Sequence, residues 1–114
     1  MRVPVQIMVG GQAIKIEYKE ALKGDDGEAL SGECLVGEPT IRLSKAKHAN
    51  ERAVFHTLFH ELIHKALERT GHSVLWKDEQ EEPLVYALEN MLAELFVFSP
   101  EAPVKWKELD WPED

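Results

Sequence analysis

Residues 50–70 read NERAVFHTLFHELIHKALERT. Val54, Phe55, Leu58, Phe59, Leu62, Ile63 and Ala66 recur at intervals of three and four, which places them on one arc of an α-helix. Asn50 suits the N-cap, where a side-chain oxygen accepts from a free N–H of the first turn, and Glu51 suits the positive end of the helix. Arg69 and Gly71 supply a basic last turn and a stop. The stretch therefore predicts a long amphipathic helix with its apolar arc on a core, and it carries His60, Glu61 and His64 in its middle.

Upstream of this helix the period is two. Val3, Val5, Ile7 and Val9 alternate with Pro4, Gln6 and Met8; beyond Gly10 and Gly11, Ile14, Ile16 and Tyr18 alternate with Lys15, Glu17 and Lys19. This predicts a β-hairpin. Pro4 has no N–H to give to a ladder, so the first strand is expected to begin after it or to lie on an edge. Residues 23–32, punctuated by Gly24, Gly27 and Gly32, read as a loop. Asp25 and Asp26 within it lack the ligand series of a calcium loop and read as solvated. Glu33 to Val36 and Thr40 to Leu43, separated by Gly37, Glu38 and Pro39, predict a second hairpin.

Downstream, a polar connector over 72–82 leads to a second helix over 83–98, with Pro83 in its first turn. Leu84, Val85, Leu88, Met91, Leu92, Leu95 and Phe96 form its buried stripe. Pro100 and Pro103 end regular helix, and the tail over 99–114 carries Trp106 and Trp111 among acidic residues. The tryptophans are expected to clasp the sheet, and the acidic end to be solvated. The expected fold is a single α+β domain over 1–114: a small antiparallel sheet from 1–44 packed on the helices at 50–70 and 83–98.

A length of 114 residues fits one core, and 44% hydrophobic with 30% charged residues is a globular composition. The formal charge of −8 repels phosphate backbones and anionic membranes, which argues against nucleic-acid and membrane partners. Cys34 is the only cysteine, so no disulfide within the chain and no cysteine-rich zinc or iron–sulfur site can form. The opening residues, interrupted by Pro4 and Gln6, do not make a signal-peptide core, and no stretch of about 18 apolar residues appears. A cytoplasmic location is expected.

His60-Glu61-Leu62-Ile63-His64 is an HExxH pattern. Residues four apart on a helix differ by about 40° in direction and one turn in height, so two imidazoles reach one metal ion. Glu61, offset to one side, is then placed to take a proton from water without ligating. Zinc, one ion per chain, is the metal expected from this donor type, and it ordinarily needs a third protein ligand. The continuation with a third histidine six residues on is absent, since Leu67 and Thr70 stand where Gly and His are required. A carboxylate of the second helix is the natural source: Glu82 is preferred, Glu89 follows, and Glu81 and His72 remain open.

The run Thr57-Leu58-Phe59-His60-Glu61-Leu62-Ile63-His64-Lys65-Ala66, preceded by the strand Ile41-Arg42-Leu43, resembles small phage-type HExxH metallopeptidases related to the ImmA/IrrE proteins. The resemblance spans roughly residues 40–100. It implies a minimal gluzincin-like zincin, in which a glutamate on a following helix completes the zinc site. In that family the glutamate precedes small or apolar residues at the third, sixth and tenth positions after it, a register met by Glu82 with Val85, Leu88 and Leu92. The chain departs from the pattern at Tyr86 and Glu89, where the family has Asn and Ala. The implied activity is peptide-bond hydrolysis with Glu61 as general base, and the implied partner is a peptide or protein substrate. By the same resemblance, an edge strand over Thr40 to Leu43 is expected to align an extended substrate.

Other residues carry weaker expectations. His56 reads as a packed histidine, His48 as a surface one, and His72 as a solvated loop residue. Tyr86, one turn after Glu82, is either a half-buried helix tyrosine or a donor to a developing oxyanion. The alternative to an enzyme is a non-catalytic metal-binding or interaction module of phage origin, which acts through its acidic surface or tryptophan-bearing tail.

Overall fold

The alternating segments form strands, in the order β1 (Arg2–Val9), β2 (Gln12–Lys19), the short pair β3 (Leu22–Lys23) and β4 (Ala29–Leu30), β5 (Gly32–Cys34) and β6 (Thr40–Ser44). Helices α1 (Glu51–Arg69) and α2 (Asp78–Leu92) follow, and β7 (Val104–Glu108) comes last. The computed structural model describes residues 1–9, 11–35, 37–69, 78–92 and 104–111. The protein is α+β: a five-stranded sheet in the order β5-β6-β2-β1-β7, the separate β3-β4 pair, and two helices.

The sheet is mixed, whereas the sequence suggests an antiparallel one. β1–β2, β5–β6 and β1–β7 are antiparallel, but β2 and β6 run parallel, with Ile16 opposite Ile41 and Tyr18 opposite Leu43. A parallel pair needs a long crossover, and residues 20–39 supply it. Within that crossover β3 and β4 interrupt what reads as a loop, pairing Leu22 with Leu30 across the Gly24–Gly27 turn. β6 is thus an interior strand, so the expected docking edge at Thr40 to Leu43 does not exist; among the described residues β5 is the edge on that side.

β1 passes through Pro4 and lies between β2 and β7, so the proline neither delays the strand nor marks an edge. The register against β7 shifts between Pro4 and Gln6, and pairing with β2 is confined to Gln6–Val9. A bulge is where a strand tolerates the missing N–H. The Tyr18 hydroxyl donates to the Pro4 carbonyl (2.7 Å) and ties β2 to this irregular stretch. β7 falls in the segment read as a tail, and its tryptophans do clasp the sheet. Trp106 meets Phe55 edge-on, while Trp111 stacks edge-on against Tyr18 and donates from Nε1 to the His48 carbonyl.

One face of the sheet carries Val3, Ile7, Ile14, Ile16, Ile41 and Leu43 onto Val54 and Leu58 of α1. Asn50 caps α1 as expected, its Oδ1 accepting from the Ala53 N–H at 2.9 Å. The buried seam of the helix is not the arc expected, however. It runs Val54, Leu58, Glu61, Lys65, and Ala66 is exposed. His48 is also buried, not at the surface. Its Nδ1–H donates to the Ser44 carbonyl, which leaves Nε2 to accept from the Thr57 hydroxyl at 2.8 Å.

α2 starts at Asp78, five residues before the expected boundary, with Pro83 inside it. Proline there forfeits one helical hydrogen bond, which ordinarily costs about 3 kcal/mol. In exchange Glu81 and Glu82 lie on regular helix facing α1, and Val85 is fully buried. His72, the expected continuation of the second helix over 93–98 and the side chains of Met91 and Leu92 lie outside the described residues. No helix among the described residues is long and apolar enough to cross a membrane.

Candidate metal centre

Three histidines of α1, His56, His60 and His64, stand one turn apart and face α2. Three glutamates of α2 interleave with them. Glu82 lies between the two motif histidines: its Oε1 is 2.7 Å from His60 Nε2, and its Oε2 is 3.2 Å from His64 Nε2. One ligand atom each from His60, His64 and Glu82 falls within 4.8 Å of the others, a spacing at which a single ion can be shared. The opposite ring nitrogens are also engaged. Nδ1–H of His60 donates to Glu89 Oε1 at 3.0 Å, and Nδ1–H of His64 donates to Glu81 Oε1 at 2.7 Å.

This arrangement fits a divalent metal. A carboxylate on Nδ1 fixes the tautomer and leaves the Nε2 lone pair for an ion, which is how ligating histidines are usually held. It also separates the glutamates that the sequence leaves open. Glu82 is on the Nε2 side of both rings, where it could share an ion with them, whereas Glu81 and Glu89 are on the Nδ1 sides, where they could only support the rings. The Glu82 side chain is 44% exposed, so the site opens toward solvent on that side.

Glu61 lines the same cleft as Glu82 and is 7% exposed. Burial raises its pKa above the ordinary carboxylate range; His60 and His64 oppose the shift, and Glu82 and Glu33 add to it. For His64 burial works against the imidazolium, but hydrogen bonds that it donates to Glu81 and Glu82 and the charges of Glu82 and Glu61 outweigh it, so its pKa is raised. A cleft of about 770 Å³ connects these groups, walled by α1 and α2 on one side and by Ala29 to Gly32 and Cys34 on the other.

Gly32 sets the closeness of that second wall. A methyl group on it would lie 2.8 Å from Leu43 Cδ2 and 3.0 Å from Thr57 Cγ2, so a larger residue would lift β5 off α1. Lys65 anchors the segment that follows β5. It is 1% exposed, and its ammonium donates to the carbonyls of Leu35 (3.1 Å) and Glu38 (2.7 Å) and to Glu68 Oε2 (2.8 Å). Glu68 in turn accepts from the N–H of Gly37, whose φ of +81° makes the β5–β6 turn. Burial pushes the nearby Cys34 thiol up to about 11, with Lys65 opposing and Glu61 and Glu68 reinforcing.

Lys65 is the functional-site neighbour that sequence reasoning missed. Its place at the seam spacing from Leu58 and Glu61 was available, but a lysine at such a spacing reads as a surface residue. Tyr86 lines the cleft, more than half exposed, with its ring 4.7 Å edge-on from that of His60. His56 is partly buried, as read, and meets Glu89. Comparison with models of known protein families, with curated proteins and with solved structures finds no match to this chain.

Proposed function

We propose that this chain is a zinc-dependent metallopeptidase of the HExxH type. The observation that supports the reading is the Glu82 carboxylate set between Nε2 of His60 and Nε2 of His64, beside a cleft that Glu61 also lines. Two imidazoles, one carboxylate and an open side make the donor set of hydrolytic zinc sites. Held there, the ion supplies a Lewis acid for the scissile carbonyl and acidifies water.

The remaining work belongs to the protein. Glu61, kept partly desolvated with a raised pKa, takes the proton of the attacking water and returns it to the leaving amine. The edge of β5 replaces Thr40 to Leu43 as the strand against which an extended peptide pairs, since it lines the cleft and, among the described residues, has no strand on its outer side. The Tyr86 hydroxyl is the side-chain donor on the α2 wall for charge that develops on the carbonyl oxygen.

Glu61→Gln tests the reading, because the amide keeps the shape and loses the base. With zinc content and folding unchanged, cleavage of a mixture of unstructured peptides, followed by mass spectrometry, should fall by about 100-fold or more. Equal cleavage by the variant would contradict the mechanism. If neither protein cleaves, a non-catalytic metal module becomes the better account.

A further inference from the structure

Beyond the three ligating groups, the α1–α2 face holds an alternating chain of imidazole and carboxylate that extends one turn further. Glu89 spans two histidines: Oε1 accepts from His60 Nδ1 at 3.0 Å, and Oε2 accepts from His56 Nδ1 at 3.2 Å. Its side chain is 14% exposed, those of His60 and His56 11% and 26%. The order along the face is therefore His56, Glu89, His60, Glu82, His64, Glu81, with each neighbouring pair 2.7 to 3.2 Å apart.

We propose that Glu89 and His56 are a positioning pair for the metal: Glu89 holds His60 with Nε2 turned toward Glu82, and His56 holds Glu89. Neither residue ligates. The inference rests on the metal reading above and explains two features which that reading leaves unused. One is a glutamate at position 89, where the resembling family has alanine. The other is a histidine one turn before the motif. Without Glu89, the His60 ring is free to rotate about its side-chain bonds and loses the acceptor that selects its ligating tautomer; an outer carboxylate of this kind ordinarily contributes about 10- to 100-fold in metal affinity. A half-buried carboxylate with two acceptor atoms also needs two donors to stay in one orientation, and His56 provides the second.

The test is the affinity of the tag-free full chain for Zn2+ and Co2+, measured by competition with a chromophoric chelator, with the visible spectrum of the Co2+ form as a second readout. Glu89→Gln should weaken binding by about 10-fold or more. Glu89→Asp, which keeps the charge but withdraws the carboxylate, should weaken it too and shift the Co2+ bands. His56→Phe should weaken binding less, and His56→Phe with Glu89→Gln should be no weaker than Glu89→Gln alone.

Affinity and spectrum unchanged in Glu89→Gln would overturn the proposal. So would a Glu89→Asp variant identical to the wild type, because charge and not orientation would then be at work. If Glu89→Gln does not fold, Glu89→Asp and His56→Phe carry the same decision. Failure of the wild-type chain itself to bind either ion would instead remove the metal reading on which the pair depends.

Discussion

The seam that α1 turns toward the sheet is apolar in its first half and ionic in its second. Val54 and Leu58 lie among Ile14, Ile16, Ile41 and Leu43, over strands whose backbone is paired on both sides. Glu61 and Lys65, on the same seam and as well buried, lie over the β5 edge and the turn that follows it. In the first region apolar contact suffices. At the turn, carbonyls lack ladder partners and need a donor, which Lys65 provides, while Glu61 borders the open cleft. One helix face thus serves as core at one end and as site wall at the other.

Substitutions along this seam separate the two roles. Leu58→Ala should cost the most, about 3 kcal/mol, because it opens a cavity at a fully buried position in the apolar half. A shift of the denaturant midpoint measures it, and a loss below about 1 kcal/mol would mean that the apolar half is not close-packed.

Lys65→Met sharpens the contrast. If the ionic half were ordinary core, this swap would be neutral or stabilising; because it strips donors from Leu35, Glu38 and Glu68, it should destabilise by about 2 kcal/mol. A more stable variant would erase the distinction between the halves. At the start of the helix, Asn50→Ala should cost about 1 kcal/mol through the lost cap alone, without effect on the cleft.

The smallest effect concerns pH. The folded Cys34 thiol holds its proton to about 11, against 9.0 for an unburied thiol. The unfolded chain therefore ionises first, so this contribution to stability is intact below pH 9 and declines as the pH rises toward 11. Alkylation of native Cys34 at pH 8 should accordingly be much slower than in the denatured chain. Equal rates would place the thiol in solvent and open the wall at β5.

Much of this architecture was legible in the sequence, for reasons that separate the successes from the failures. Period two found β1 and β2, Gly37 with Pro39 found the β5–β6 turn, and Asn50 marked the start of α1 to the residue. These are local signals. β7 was not found, because Val104–Glu108 is short, follows two prolines and gains its partner only across the whole chain, at β1. The parallel pairing of β2 with β6 is likewise a non-local choice.

At the site, the HExxH spacing located His60, Glu61 and His64, and the register of the following stripe favoured Glu82. It could not tell which carboxylate meets Nε2 and which meets Nδ1 of each ring, since that depends on how the two helices pack. The early start of α2, which brings Glu81 and Glu82 onto helix, was hidden by Pro83, whose preference for a first turn outweighed the helix signal before it.

The account rests on the α1–α2 face being a metal centre, and the metal content of tag-free protein, by elemental mass spectrometry, tests this most directly. About one zinc per chain is predicted, lost on His60→Ala or His64→Ala in protein that remains folded. Folded wild-type protein that carries no metal after exposure to zinc and removal of the excess would contradict it.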